Sequence, residues 1–233
     1  MTLLEKVESA QAVFFDLFHT LFGFDRNQVG VLHTSTLLGI PKDKWNEIVF
    51  DTSEDRLRGM DRDKYSIIRK LAHQYDPSIP EETIRYAADV RERRFYEGLT
   101  GFKSPNFETL SRLRRHGKKI GLISNADSIE VSGWFVSEFP RYFDSVIFSY
   151  EVGYMKPEPG IYQCALDFLN VRAEDCLFVG DGGNDELRGA KEMGFTTVMT
   201  TEYSGILWPD KIDARRPYSD YVVDDLRLLL EEC

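Results

Sequence analysis

Asp16 closes the apolar run "AVFF" (12–15), at the point where a parallel α/β sheet presents its reactive groups. A carboxylate there can act as a nucleophile and split a difficult hydrolysis into two displacements through a covalent aspartyl intermediate. Three distant pieces carry matching chemistry: Ser124-Asn125 after "KIGLI", Lys156 in "GYMKPEPGIY", and Asp181 with Asp185 in "VGDGGNDELRGA". Phosphoryl transfer spreads charge over oxygens that need cationic and hydrogen-bonding support, which Lys156, Ser124 and backbone N–H groups can supply. Paired carboxylates suit a hard divalent cation. Singly, each piece has a plainer reading. Asp181 and Asp185 could cap a helix beginning near Asn184, Ser-Asn is ordinary turn chemistry, Lys156 could sit on a surface loop, and Thr20 could be a packing residue. Their shared position at successive strand ends argues for one site.

Positioning these groups requires a sheet. Short apolar runs at 12–15, 119–124, 145–149, 176–180, 196–200 and 220–223 read as strands, and most alternate with helical patterns. Residues from about 22 to 99 differ, with helical segments near 27–38, 42–58, 61–75 and 81–97 and no convincing strand. The spacing predicts a capping box of Ser78 and Glu81 with Pro80 in the first turn, and Gly98 as the stop. Ile84, Ala88, Arg91 and Phe95 share one face of that helix. A capped helix over 104–117 returns the chain to the sheet. Its basic end (Arg112, Arg114, Arg115, Lys118, Lys119) reads as a solvated helix C-terminus rather than an anion site.

Composition narrows the class. The chain has 233 residues, 42% of them apolar, enough for a sizeable core. A net charge of −10 argues against nucleic acid and anionic membranes as partners, and leaves room for a small phosphorylated molecule in a locally positive pocket. Cys164, Cys176 and Cys233 form no CxxC pair, and no Cys/His cluster has zinc spacing. No run approaches the ~20 apolar residues of a membrane span, and "MTLLEKVESAQ" lacks signal-peptide character. A reducing, cytoplasmic setting is expected.

In this order, the four pieces resemble the haloacid dehalogenase-like hydrolase superfamily. Asp16 and Thr20 match its first motif, Ser124 the second, Lys156 the third and "GDGGND" the fourth. The resemblance implies an α/β fold: a Rossmann-like parallel-sheet core, residues 1–20 and 100–233, with an inserted all-helical cap, residues 21–99. It implies Mg²⁺ held by Asp16, the main-chain carbonyl of Phe18 and Asp181, with Asp185 behind them or as an alternative ligand. Asp16 would be the nucleophile, and Thr20, Ser124, Asn125 and Lys156 would bind substrate.

The chain departs from that pattern at two positions. Phosphatase members carry a second Asp where this chain has Phe18, and it protonates the leaving group, a role worth on the order of 10²–10⁴ in rate. His19 stands where a small residue, commonly Gly, is expected, and is the nearest titratable side chain. One reading is a magnesium-dependent phosphohydrolase that manages without the acid. Another is a metal-free 2-haloacid dehalogenase, whose halide leaves unprotonated and whose corresponding residue is typically aromatic. Asp181 disfavours the second, because two uncompensated carboxylates would repel and a cation resolves the conflict. A third is a non-catalytic binding relative. Tyr154, Trp208 and the stretch 202–220 are candidate pocket elements, or packed loops.

Overall fold

The structure, a computed structural model, describes residues 1–23 and 30–231. Six strands form one parallel sheet: β1 (Ala12–Phe15), β2 (Lys119–Ser124), β3 (Ser145–Phe148), β4 (Cys176–Gly180), β5 (Thr196–Thr200) and β6 (Tyr221–Val223). Their order is β3-β2-β1-β4-β5-β6. Connections run outward to both sides from β1, so the order reverses between β1 and β4, and ligands of open α/β sheets bind at the carboxyl ends beside such a reversal.

Strands covered on both faces read as continuous apolar runs, which is why these segments stand out in the sequence. Alternate residues serve opposite layers. Val13, Phe15, Ile120, Leu122, Leu177 and Val179 pack with α1 (Leu3–Ser9) and, from later in the chain, with Leu110, Leu113 and the 226–230 turn. Ala12, Phe14, Ile123 and Phe178 pack on the other face with Ile161, Tyr162, Leu166, Leu187 and Ala190.

Between β1 and β2 lie α2 (Thr34–Leu38), α3 (Lys42–Asp51), α4 (Glu54–Leu57), α5 (Lys64–Tyr75) and α6 (Glu81–Thr100), followed by α7 (Asn106–Arg115). The helices α2, α3, α5 and α6 share a core of Leu38, Trp45, Ile67, Ile68, Leu71, Ile84, Ala88 and Phe95. Several expected helix ends move. The segment expected near 27–38 falls partly on residues outside the described ones, and α2 starts after His33, whose ring accepts from the Ser35 N–H. The segment at 42–58 divides at Thr52-Ser53 into α3 and α4. No Ser78–Glu81 capping box forms. The Asp76 carboxylate takes both the Ser78 N–H (2.8 Å) and hydroxyl (2.7 Å), Glu81 pairs with Arg69, and Pro80 precedes the first turn. Gly98 is a buried helical residue, with Thr100 ending α6. The basic end of α7 is tied down locally: Arg112 to the Leu230 carbonyl, Arg114 to Asp144, Arg115 to Glu108, and Lys118 and Lys119 to backbone carbonyls.

The later helices are α8 (Ser149–Val152), α9 (Pro159–Leu169), α10 (Glu186–Glu192), α11 (Ser204–Leu207) and α12 (Ile212–Arg215). No described helix is long and apolar enough to cross a membrane. Cys176 is buried, which pushes its thiol up to about 12 and leaves it inert, and Cys233 lies outside the described residues.

A buried charge network joins the helical insert to the turn after β2. Arg56 of α4 donates to Asp127 (2.8 Å) and Glu130 (3.2 Å), and Arg91 of α6 donates to Glu130 (2.9 Å). Asp127 Oδ1 also accepts the N–H groups of Ile129 and Glu130, fixing the turn two residues beyond Asn125. Burial and the Asp127 charge hold the Glu130 carboxyl above its ordinary pKa.

Candidate active site

Asp16 follows β1 directly, and its N–H donates to the Val179 carbonyl of β4 at 2.9 Å. This bond extends the sheet pairing by one residue and aims the carboxylate into the β1–β4 crevice. After it the chain turns sharply: the N–H groups of Leu21 (3.0 Å) and Phe22 (2.9 Å) both reach the Leu17 carbonyl, and His19 donates to Phe22 at 2.6 Å. The turn puts His19 at φ +62, the left-handed region that favours glycine, although His adopts it more readily than most side chains. Its ring packs edge-on against Trp208, with centroids 4.7 Å apart.

Lys156 is buried between two carboxylates. Its Nζ lies 2.5 Å from Asp16 Oδ1 and 2.5 Å from Glu186 Oε2. Burial alone would lower the lysine pKa, but attraction from Asp16 and Glu186 outweighs it and holds the group charged. Burial raises Asp16, an effect Lys156 opposes and Asp181 reinforces. Burial likewise pushes Glu186 up to about 8, again against Lys156. Two glycines make this approach possible. A Cβ on Gly180 would fall 2.2 Å from Glu186 Oε1, and one on Gly189 would fall 2.6 Å from the Pro157 carbonyl. Gly189 thereby lets α10 pack directly on the Lys156 loop.

Asp181 follows β4 as Asp16 follows β1. Its Oδ1 accepts the Gly183 N–H (2.8 Å), and Arg215 Nη1 donates to its Oδ2 (2.8 Å) and main-chain oxygen (3.0 Å). Ligand oxygens from Asp16, Asp181 and Glu186 lie within 4.8 Å of one another, all buried. Such a set of hard oxygens, with excess negative charge, fits a divalent cation of the magnesium type. Ser124 Oγ and Thr20 Oγ1 are buried without a hydrogen-bond partner among the described residues, so each has a donor to give to a ligand.

The structure thus brings together Asp16, Lys156 and Asp181 in direct contact or close array. Asn125 is used differently from expectation, because both ends of its amide clamp the Lys156 backbone (2.9 and 2.8 Å). Asp185 stands outside the cluster, exposed and paired with Arg188 at 2.9 Å, and its neighbour Glu186 occupies the inner position. The sequence held a signal for this exchange. Glu186 lies one helical turn before Ala190, both on the buried face of α10, whereas Asp185 precedes the helix. Phe18 packs between the two halves of the molecule, edge-on to Phe22 and to Phe95 of α6, each at 6.0 Å. Tyr154 is half exposed with its ring over Gly160, as a packed loop residue.

The family model for haloacid dehalogenase-like hydrolases matches residues 10–194. The chain belongs to that family. Among relatives of this haloacid dehalogenase-like chain, a glyceraldehyde 3-phosphate phosphatase of Methanocaldococcus jannaschii is 30% identical over 189 residues, which cover 80% of this chain and 76% of the relative. One of the same name from Pyrococcus furiosus is 32% identical over 126 residues, covering 53% of this chain and 51% of the relative. With several curated relatives the match spans about half their length or less. Among solved structures, a HAD phosphatase from Thermococcus onnurineus has a TM-score of 0.60 at 24% identity, covering 94% of this chain and 95% of its own. A dehalogenase crystal structure has a TM-score of 0.65 at 22% identity, covering 95% and 96%. These two likenesses speak to fold.

Proposed function

We propose that this haloacid dehalogenase-like hydrolase is a Mg²⁺-dependent phosphohydrolase acting on a small phosphorylated metabolite. The observation that carries the reading is the excess of buried carboxylate at Asp16, Asp181 and Glu186, which a metal-free mechanism would have to stabilise without benefit. The phosphatase names of the curated relatives support it. Asp16, the Phe18 carbonyl and Asp181 would hold the ion, with Glu186 behind them in the place expected for Asp185. When bound, the ion supplies positive charge that shields Asp16 from an approaching phosphoryl group. The helices between β1 and α7 form the cap, and residues 1–20 with 100–233 the core. The buried, unpaired thiol of Cys176 is compatible with a cytoplasmic setting.

The chain's own residues then divide the work. The Asp16 carboxylate attacks phosphorus as the bond to the leaving oxygen breaks, and water later attacks the aspartyl phosphate and restores Asp16. Lys156 opposes the effect of burial on Asp16 and orients its carboxylate. Ser124 and Thr20 donate their free hydroxyls to the phosphoryl oxygens. Phe18 offers no proton to the leaving group, so substrates with readily departing groups are favoured. Hydrolysis of p-nitrophenyl phosphate with Mg²⁺, abolished by EDTA and by Asp16→Asn, is the expected result. Full turnover in EDTA overturns the reading. The apolar surroundings of Phe18 favour a second reading, metal-free 2-haloacid dehalogenation. It predicts halide release from short 2-haloacids in EDTA, and a silent panel removes it.

A further inference from the structure

Arg215 comes from α12, in a stretch with no sequence motif, yet its guanidinium reaches the carboxylate that the fold sets opposite Asp16. The Nη1 contacts to Asp181 Oδ2 and to its main-chain oxygen anchor both ends of that residue. The side chain is mostly buried, and its guanidinium lies 5.8 Å from the centre of the Trp208 ring, the same ring that His19 meets on its edge. Two sequence-distant elements thus enclose Arg215 beside the acidic cluster. The contact delivers a fixed positive charge as well as a hydrogen bond.

Charge accounting shows what that charge does. With the carboxylates of Asp16, Asp181 and Glu186 ionised and Lys156 their only counter-ion, the pocket would carry two negative charges. A divalent ion would bring it to neutrality, and a phosphoryl dianion would then enter a pocket with no net attraction. With Arg215 included, the same fully ionised pocket would carry one negative charge before the ion binds and one positive charge after it. In a desolvated site, one unit of charge at this range outweighs the geometry of a single hydrogen bond.

We propose that Arg215 sets the charge of the pocket, weakening its hold on the divalent ion and strengthening its hold on the anion that follows. This rests on the divalent-ion reading of the site. It assigns Arg215 a positioning role through Asp181, outside the bond-making steps. A purely structural role predicts the opposite for the metal: loss of an Asp181 anchor would loosen the ion's ligand.

Isothermal titration of Mg²⁺ into metal-free wild type, R215Q, R215M and R215K separates the two. R215Q and R215M are expected to bind Mg²⁺ roughly tenfold more tightly than wild type, and then to bind inorganic phosphate roughly tenfold more weakly at saturating Mg²⁺. R215K, which keeps the charge and loses the fork, is expected within about twofold of wild type for both ligands. Unchanged or weaker Mg²⁺ binding in the folded neutral variants overturns the role of Arg215 while leaving the metal reading in place. Tighter Mg²⁺ with unchanged phosphate also overturns it. No Mg²⁺ uptake by wild type removes the metal reading and this inference together.

Discussion

The ring of Phe18, in the turn after β1, meets the ring of Phe95 on α6 edge-to-face at 6.0 Å between centroids. One contact therefore ties the loop of the proposed nucleophile to the helical insert. Phe18 serves as a packing link at the junction.

Phe18→Asp tests both sides of this. It deletes aromatic contacts and places a carboxylate among Phe22, Phe95 and the insert core, so stability should fall by about 2–4 kcal/mol in urea unfolding. As a proton donor, the new Asp should raise turnover of alkyl phosphomonoesters relative to p-nitrophenyl phosphate. Equal effects on the two substrates would count against the missing-acid account.

The pH dependence of the metal-free protein has a definite sign. Glu186 is pushed from 4.5 to about 8 by burial, and Asp16 and Glu130 are also raised, so the native state holds protons that the unfolded chain has released. Stability from these groups is full below the unfolded carboxylate pKa values and is lost as pH rises toward 8. In EDTA the free energy of unfolding should therefore fall from pH 5 to 8, by up to about 1.4 kcal/mol per pH unit for each proton involved, and Tm should fall with it. Glu186→Gln should flatten the fall, and added Mg²⁺ should lessen it. A Tm that climbs across this range contradicts the assignment.

Arg56→Met removes the cation nearest Asp127 and leaves a buried carboxylate short of a partner, at a cost of about 3 kcal/mol. Pairing it with Asp127→Asn should recover part of that loss, because the amide keeps an oxygen for the turn's N–H groups while shedding the charge. Strict additivity in denaturant melts would deny the coupling.

Gly189→Ala changes a residue that touches no substrate. The added methyl meets the Pro157 backbone, so α10 or the Lys156 loop must shift and the Lys156–Glu186 distance with it. Phosphatase kcat should drop at least about tenfold, since small misplacements of a charge-bearing group cost that much. An unchanged kcat with a lowered Tm would confine Gly189 to packing.

The sheet was legible because its strands are buried on both faces and leave unbroken apolar runs, from "AVFF" to "CLFVG". The site was legible in part for the same reason, since strand ends announce where Asp16, Ser124 and Asp181 must fall. What escaped depends on partners chosen in three dimensions. Ser78 looked like a cap until Asp76 claimed it, Asn125 looked like a ligand until its amide turned to the Lys156 backbone, and Asp185, expected behind the ligands or as an alternative one, stands outside the cluster because α10 begins at Glu186. Arg215 lies in the 202–220 stretch named as a candidate pocket element, but no local rule aims it at Asp181.

The central strand β1 pairs on one side with residues 119–122 and on the other with 176–179. During synthesis, both of its edges stay open until residues 119–122 are made, and one of them until 176–179. The insert, with its own apolar core, can collapse locally in that interval, but Asp16 waits for Lys156, 140 residues downstream. In nascent chains an apolar strand therefore lacks both neighbours over that interval, the state most exposed to mispairing.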